Sequence, residues 1–242
     1  RTAWLLKEDP SLFCVSAWND NGFKELVSDE RRLFRTDYFP GLGWMIRRDT
    51  WDLLRDSWPL FPSTGWDHWM RHGSGLRPRE CVVPEVPRTL HFGEGGTNVK
   101  KGSGIMKLLE RMARSSLPSG QLGDVAGLME ERYHAELLQR LRGGVLGSFS
   151  QLDGLSAGQL HLLPYKREEY VGLAKRLTIY PGQPRATHRG VVLTRHPKTG
   201  APIALVDRRQ GLGILPDAER IDRHPQLQEV AAAPDQSCDQ AC

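Results

Sequence analysis

Short apolar runs bounded by turn residues occur near both ends of the chain and predict strands. Residues 12–18 are a nearly unbroken apolar run that ends at an Asn-Asp-Asn-Gly turn, a pattern typical of a buried strand. Residues 80–86 form a second run, in which Pro84 predicts a position at a sheet edge or at a strand end. Residues 191–194 and 203–206, joined through a Pro-Lys-Thr-Gly turn, predict a β-hairpin.

Longer segments with helical spacing of apolar residues lie between these runs. Residues 48–57 predict a helix, with Asp49 near its N-terminus. The aromatic-rich segment 65–71 predicts the start of a short helix. Residues 105–142 carry a helical pattern that two glycines end, and residues 168–177 predict a further helix.

Two segments lack a clear pattern. Residues 145–164 are weakly patterned and are predicted to be a linker. From residue 216 onward the chain is polar and alanine-rich, which predicts a mostly disordered tail.

Charge argues against a nucleic-acid-binding protein. The net charge of +4 comes from 33 basic and 29 acidic residues, and no block of five or more like charges occurs. Binding to a phosphate backbone needs a clustered basic face, which this distribution does not provide.

The chain shows neither a membrane span nor a signal peptide. No apolar run approaches the roughly 20 residues that cross a bilayer, and the chain opens Arg-Thr-Ala-Trp without an apolar signal region. This opening is typical of the interior of a longer protein, so we expect any anchor to precede Arg1.

The four cysteines fall into two groups, Cys14 with Cys81 and Cys238 with Cys242. Neither group has the Cys-x-x-Cys spacing of a structural zinc site. Cys14 and Cys81 are either a disulfide in an oxidising compartment or two buried thiols, and the spacing does not decide between them. Cys238 and Cys242 lie in the predicted disordered tail.

Tryptophan, glycine and isolated carboxylates are dense in predicted loops of the first 95 residues. This composition fits a sugar site, where aromatic faces and short loops hold a ring and a carboxylate handles a hydroxyl proton. It also fits a tryptophan-rich core with solvated aspartates, because aromatic clusters are more often core than site. The residues concerned are Asp37, Leu42, Trp44, Trp66, Asp67 and Trp69.

Ordered motifs favour the sugar site. Residues 35–44 read Arg-Thr-Asp-Tyr-Phe-Pro-Gly-Leu-Gly-Trp and residues 66–71 read Trp-Asp-His-Trp-Met-Arg. With residues 8–22, 79–86 and 88–93, these blocks resemble, in order, the eukaryotic β-1,2-N-acetylglucosaminyltransferase family. The resemblance is dense over residues 5–98, faint over 168–206 and loose between them.

The resemblance implies an α/β fold, the C-terminal part of a GT-A (Rossmann-like nucleotide-sugar transferase) domain plus a small strand-containing module. It implies an acceptor-side part of the catalytic domain at 1–100, a helical segment and linker at 101–164, the small module at 165–215 and the disordered tail at 216–242. The implied chemistry is inverting transfer of GlcNAc from UDP-GlcNAc, with Mn²⁺, to a mannose of a glycoprotein. The implied location is the Golgi membrane, with the catalytic domain in the lumen and the anchor in a missing N-terminal segment.

The resemblance also implies roles for particular residues. Asp67 falls on the family's catalytic base, although the residue type alone also fits a helix N-cap or a surface aspartate. Leu42 and Trp66 fall on positions that line the donor sugar, or alternatively pack in the core. Asn98 falls in a loop that orders over UDP in the family, although Gly95-Gly96-Thr97 departs from the usual sequence. Cys14 and Cys81 fall on a disulfide pair.

The family's acidic metal-binding motif has no counterpart in the chain and is expected upstream of Arg1. Without it, we expect this fragment alone to be inactive, because Mn²⁺ assists the diphosphate leaving group. No glycine-rich phosphate motif replaces it. An N-glycan acceptor is favoured, and two alternatives stay open: an O-mannosyl acceptor, and a non-catalytic carbohydrate-binding relative that lacks the donor half.

Overall fold

A computed structural model describes residues 1–61, 65–91, 102–118 and 121–220, which form two mixed sheets with helices around them. The first sheet has the order β2-β4-β1-β3, with β4 parallel to β1 and antiparallel to β2. Its strands are β1 (Leu12–Ser16), β2 (Leu33–Thr36), β3 (Trp44–Met45) and β4 (Glu80–Pro84).

Three short helices flank the first sheet: α1 (Leu5–Glu8), α2 (Arg48–Leu54) and α3 (Trp66–His72). A 3-10 turn, Arg55–Ser57, continues α2. Gly65 precedes α3 with φ of 93°, a conformation that favours glycine.

The second sheet has the order β5-β6-β9-β8-β7. Its strands are β5 (Val145–Leu146), β6 (His161–Tyr165), β7 (Thr187–His188), β8 (Val191–Arg195) and β9 (Pro202–Asp207). The helices of this half are α4 (Gly104–Glu110), α5 (Glu130–Arg142) and α6 (Tyr170–Leu177), with 3-10 turns at Ala126–Leu128, Phe149–Gly154, Arg167–Glu169 and Asp217–Glu219.

The two sheets share a hydrophobic core. One buried cluster joins Trp18 and Phe23, which follow β1, to Leu163 of β6 and Leu205 of β9. The backbone N–H of Asp37, just after β2, donates to the carbonyl of Thr187 in β7 at 2.9 Å. The segment from α6 to β7 is therefore fixed against the first sheet.

The strands and helices predicted from the strongest patterns are confirmed. β1, β4, the β8–β9 hairpin, α2, α3 and α6 all form where the sequence predicted them. The sequence placed Pro84 at a sheet edge or at a strand end. Pro84 is the last residue of β4, and β4 lies inside the sheet, so the strand end is correct.

The prediction of a continuous helical pattern over 105–142 is wrong. The chain leaves α4 after Glu110 and runs along the first sheet, where Ala113 N–H donates to Gly22 O and Ser115 N–H donates to Pro87 O, both at 2.8 Å. Pro118 and neighbouring glycines separate this stretch from α5, and they interrupt a helix on local grounds as well.

The prediction that residues 145–164 are a linker is also wrong. They form β5, a 3-10 turn and nearly all of β6, whose five residues are all buried. β6 pairs in parallel with both β5 and β9. A strand buried on both faces carries no alternation of polar and apolar residues, which explains why its pattern was weak.

Three further observations bear on the chain's organisation. Cys14 of β1 and Cys81 of β4 are joined by a disulfide, with their Cα atoms 4.5 Å apart, which confirms the implied pairing. In the part of the chain that the structure describes, no helix is long and apolar enough to cross a bilayer. The predicted disordered tail at 216–242 is wrong for residues 216–220, which contain the 3-10 turn Asp217–Glu219, and its remainder at 221–242, with Cys238 and Cys242, lies outside the described residues.

Candidate active site

A cavity of about 280 Å³ opens between the loops of the first sheet, α3, α4 and the segment before β7. It brings together Leu42, Trp66 and Asp67, three of the four residues to which the resemblance assigns a catalytic or donor-side role. Asn98, the fourth, lies outside the described residues. The other lining residues are Trp18, Asp20, Phe23, Pro40, Gly41, Arg71, His91, Ile105, Leu108, Leu109, Met112, Tyr180 and Arg185.

Trp66 lines the cavity and also belongs to an aromatic cluster. Its ring lies 5.9 Å from that of Trp58 in a stacked arrangement, 6.1 Å from Phe39 and 5.8 Å from Trp44. The two interpretations of this tryptophan are therefore compatible, because packing on one side fixes the indole that faces the cavity.

Asp67 lies in the first turn of α3, two residues after its N-cap, Gly65. The N-cap interpretation of Asp67 is therefore wrong. A Cβ atom at Gly65 would come within 2.9 Å of Asp67 Oδ1, so the glycine leaves that oxygen accessible. The Asp67 side chain is 41% exposed.

Arg71, one turn along α3, fixes the other carboxylate oxygen. Its Nη1 donates to Asp67 Oδ2 at 2.7 Å and its Nε donates to the Phe39 carbonyl at 3.0 Å. The Arg71 side chain is only 9% exposed and its guanidinium lies 4.8 Å from the Tyr38 ring centroid. Asp67 is thus oriented by a buried, doubly anchored cation.

Leu42 is presented by a glycine-rich loop. Gly41 and Gly43 on either side have φ of 78° and 54°, which most other residues avoid. A Cβ atom at Gly41 would lie 3.2 Å from Arg71 Nη2 and one at Gly43 2.9 Å from Thr89. Ser16 Oγ donates to the Leu42 carbonyl at 2.6 Å. The loop is therefore closely packed on both sides of this leucine.

Sequence reasoning missed the wall of the cavity that comes from the second half of the chain. Arg185 donates to Asp20 at 2.8 Å, and its guanidinium lies 3.4 Å from the Tyr180 ring centroid and 5.3 Å from that of Tyr38. Asn21 holds this segment in place by accepting from Tyr180 N–H at 2.9 Å and donating to the Arg185 carbonyl at 3.0 Å. The only local signal was the polar Asn-Asp-Asn turn after β1.

Burial perturbs the acidic groups of this wall. It raises the pKa of Asp20 although the charge of Arg185 opposes the rise. Burial likewise raises the pKa of Tyr38, whose hydroxyl accepts a hydrogen bond from Gln183 Nε2 at 2.9 Å. Asp20 therefore lines the cavity as a desolvated carboxyl group, whereas Tyr38 is not among the lining residues.

The described residues do not fit the implied manganese ion. Within 1–61, 65–91, 102–118 and 121–220, no group of three or more His, Cys, Asp or Glu side chains is placed to hold a metal. A ligand upstream of Arg1 therefore stays a prediction.

Two comparisons with known proteins give a match to this chain. The model of the GNT-I family matches residues 1–211. The chain is 33% identical over 202 residues to an Arabidopsis thaliana protein named alpha-1,3-mannosyl-glycoprotein 2-beta-N-acetylglucosaminyltransferase. The matched region covers 80% of this chain and 44% of that relative, so the chain spans less than half of the relative's length.

Proposed function

The chain belongs to the GNT-I family, and on that premise we propose that its protein is an inverting β-1,2-N-acetylglucosaminyltransferase. It would move GlcNAc from UDP-GlcNAc to a mannose of a protein-linked N-glycan. The observation that carries the proposal is the convergence of Asp67, Trp66 and Leu42 on one cavity. The name of the Arabidopsis relative supports a mannosyl-glycoprotein acceptor.

The proposed mechanism assigns the general base to Asp67. In a single inverting displacement, the carboxylate takes the proton of the acceptor hydroxyl as its oxygen bonds to the anomeric carbon, while the bond to the diphosphate breaks on the opposite face. One Asp67 oxygen accepts from Arg71 at 2.7 Å, and no described residue donates a hydrogen bond to the other. Fixing the carboxylate in advance reduces the entropy lost in reaching the reactive geometry.

The walls of the cavity suit a sugar. Trp66 and Leu42 offer apolar surface for one ring, while Asp20, Tyr180 and Arg185 offer polar atoms for hydroxyl groups. Pockets of this kind combine a mostly apolar lining with a few placed polar groups. We propose that the loop containing Asn98 contributes to the donor side.

The remaining parts of the proposal follow from the family resemblance. They are the GT-A type of the catalytic domain, Mn²⁺ as cofactor with its ligand outside the described residues, and residence in the Golgi membrane with the catalytic part in the lumen. Anchoring through a segment that precedes Arg1 belongs to the same proposal. The Cys14–Cys81 disulfide supports an oxidising compartment.

The test is GlcNAc transfer by the full-length gene product, with UDP-GlcNAc and Mn²⁺, to a five-mannose N-glycan. Asp67→Asn should lower kcat by about 10²–10⁴-fold, the usual contribution of a general base. Asp56→Asn is the matched control, because the Asp56 side chain is 87% exposed and is not among the cavity-lining residues.

Each outcome has a distinct meaning. Activity in Asp67→Asn equal to the parent would remove Asp67 from the base role. A folded parent that transfers only to O-mannosyl acceptors would overturn the N-glycan assignment. A folded parent without transfer to either acceptor would favour a carbohydrate-binding relative.

A further inference from the structure

The outer face of α3 carries two histidines one helical turn apart. His68 and His72 are both exposed, and their ring centroids lie 4.6 Å from each other. Residues four apart on a helix lie on the same face. The i, i+4 spacing on the helix therefore places the two imidazoles beside each other.

The helix that carries this pair is held firmly from its other side. Met70 is buried in the core, Trp69 packs against Trp58 at 5.3 Å between ring centroids, and Arg71 is anchored to Asp67 and Phe39. A packed backbone fixes the spacing of the two imidazoles, so binding a ligand between them needs little ordering beyond side-chain rotation.

Two arginines, Arg71 and Arg77, lie near the pair and would repel a bound cation. Of the cations near the pair, Arg71 is neutralised by Asp67 at 2.7 Å, and Arg77 is exposed to solvent.

We propose that His68 and His72 form a two-imidazole binding site for a divalent transition metal ion of the nitrogen-preferring class, Cu²⁺, Ni²⁺ or Zn²⁺. Histidines at i and i+4 on one helix face are a known metal-binding pair, and imidazole suits these ions. Since no group of three such side chains is placed to hold a metal in the described ranges, water would complete the coordination. The site differs in chemistry from one for Mn²⁺, which prefers oxygen ligands, and does not rest on the proposed transferase function.

The experiment titrates the full chain with Cu²⁺, Ni²⁺ and Zn²⁺, followed by calorimetry and by the thermal midpoint of unfolding. A ligand that binds only the folded state raises that midpoint. His68→Gln and His72→Gln should each weaken binding by about tenfold or more, because each removes one of the two proposed protein ligands and changes at groups that only support a ligand already cost about that much. With Cu²⁺, electron paramagnetic resonance should show two coordinated nitrogen atoms, and Mg²⁺ should give no shift.

His134→Gln on α5 is the matched control, because it removes a histidine from another helix, and it should bind Cu²⁺ like the parent. Thermal midpoints without metal establish that every variant is folded, which the exposure of His68 and His72 favours. Binding unchanged in the double variant His68→Gln/His72→Gln would mean an adventitious ion only and would overturn the proposal. A Cu²⁺ spectrum without coordinated nitrogen would overturn it as well.

Discussion

Two arginine–carboxylate pairs in this molecule have nearly the same geometry and opposite surroundings. Arg71 lies 2.7 Å from Asp67 at the cavity, and Arg35 lies 2.6 Å from Glu80 inside the fold. The Asp67 side chain is 41% exposed, whereas that of Glu80 is 3% exposed and that of Arg35 fully buried. What distinguishes the proposed catalytic pair from the structural one is therefore the number of other partners and the access of solvent.

The buried pair is saturated with partners. Arg35 donates to Asp9 at 2.7 Å and Ser11 at 2.6 Å, and to the Leu128 carbonyl at 2.8 Å, as well as to Glu80. The second oxygen of Glu80 lies 2.9 Å from Nδ1 of His188. This cluster joins β2 and β4 of the first sheet to β7 of the second and to the turn before α5. The charged groups of this cluster therefore stabilise the contact between the two sheets.

Replacing Arg35 tests the structural side of the comparison and should have the largest effect. Arg35→Met removes the arginine that Asp9 and Glu80 share inside the fold, and breaking such a buried group costs about 3–5 kcal/mol. Urea denaturation of the full chain should show this loss in the free energy of unfolding. Arg48→Met, at a side chain 87% exposed, is the control. An Arg35→Met loss below that of the control would contradict the structural role.

Acid should weaken the same cluster. Burial alone would raise the pKa of Glu80, but hydrogen bonding and charge from His188 and Arg35 outweigh it and lower the pKa from 4.5 to about 2. Folding therefore favours the ionised form, so this stabilisation is complete above pH 4.5 and is lost as the pH falls toward 2, by about 3 kcal/mol.

The measurement is the free energy of unfolding between pH 6 and pH 2 for the parent and Glu80→Gln. Glu80→Gln should be less stable at pH 6 and should show a shallower acid decline. Parallel curves for the two proteins would mean that Glu80 titrates alike in the folded and unfolded states.

The contrast between the pairs also explains which parts could be predicted from sequence. Asp67, Trp66 and Leu42 lie in continuous motifs, and Gly41, Gly43 and Gly65 fix their loops locally, so the resemblance placed them without the fold. The partners of Arg35 are scattered over more than a hundred positions. Arg31 and Arg32 stand just before it and are not buried, so the local sequence does not show which of these arginines is. Arg185 reaches the cavity through Asp20, from which it is 165 positions away.

The second sheet was only half predictable for a related reason. The β8–β9 hairpin joins two strands that are adjacent in sequence, and its Pro-Lys-Thr-Gly turn is recognisable, so the hairpin was predicted. β6 is short and buried on both faces, and it pairs in parallel with strands that its own sequence does not specify. Its existence depends on tertiary contacts, which a local pattern does not encode.

A conservative change at Arg71 tests the reactive side of the comparison. Arg71→Lys keeps the charge but loses the planar fork that binds Asp67 and the Phe39 carbonyl together. In the full-length enzyme we expect kcat to fall about tenfold with KM nearly unchanged, because a misplaced carboxylate affects the transition state more than substrate binding. Arg71→Gln should be worse than Arg71→Lys. If Arg71→Lys and Arg71→Gln lowered kcat by the same factor and also lowered the thermal midpoint by the same amount, Arg71 would have a structural role instead.

The smallest expected effect is that of Asp67→Asn on stability, and it completes the comparison. Asp67 is 41% exposed, so solvent screens its charge although Arg71 is largely buried, and i, i+4 ion pairs on helices contribute about 0.3–0.5 kcal/mol. Asparagine also keeps an oxygen that can accept from Arg71. The free energy of unfolding should therefore change by less than about 0.5 kcal/mol, while transfer activity falls by orders of magnitude. Urea denaturation of Asp67→Asn beside Asp56→Asn measures the difference. A loss of several kcal/mol in Asp67→Asn would place Asp67 with Glu80, as a residue that holds the fold together, and the separation of the two pairs would fail.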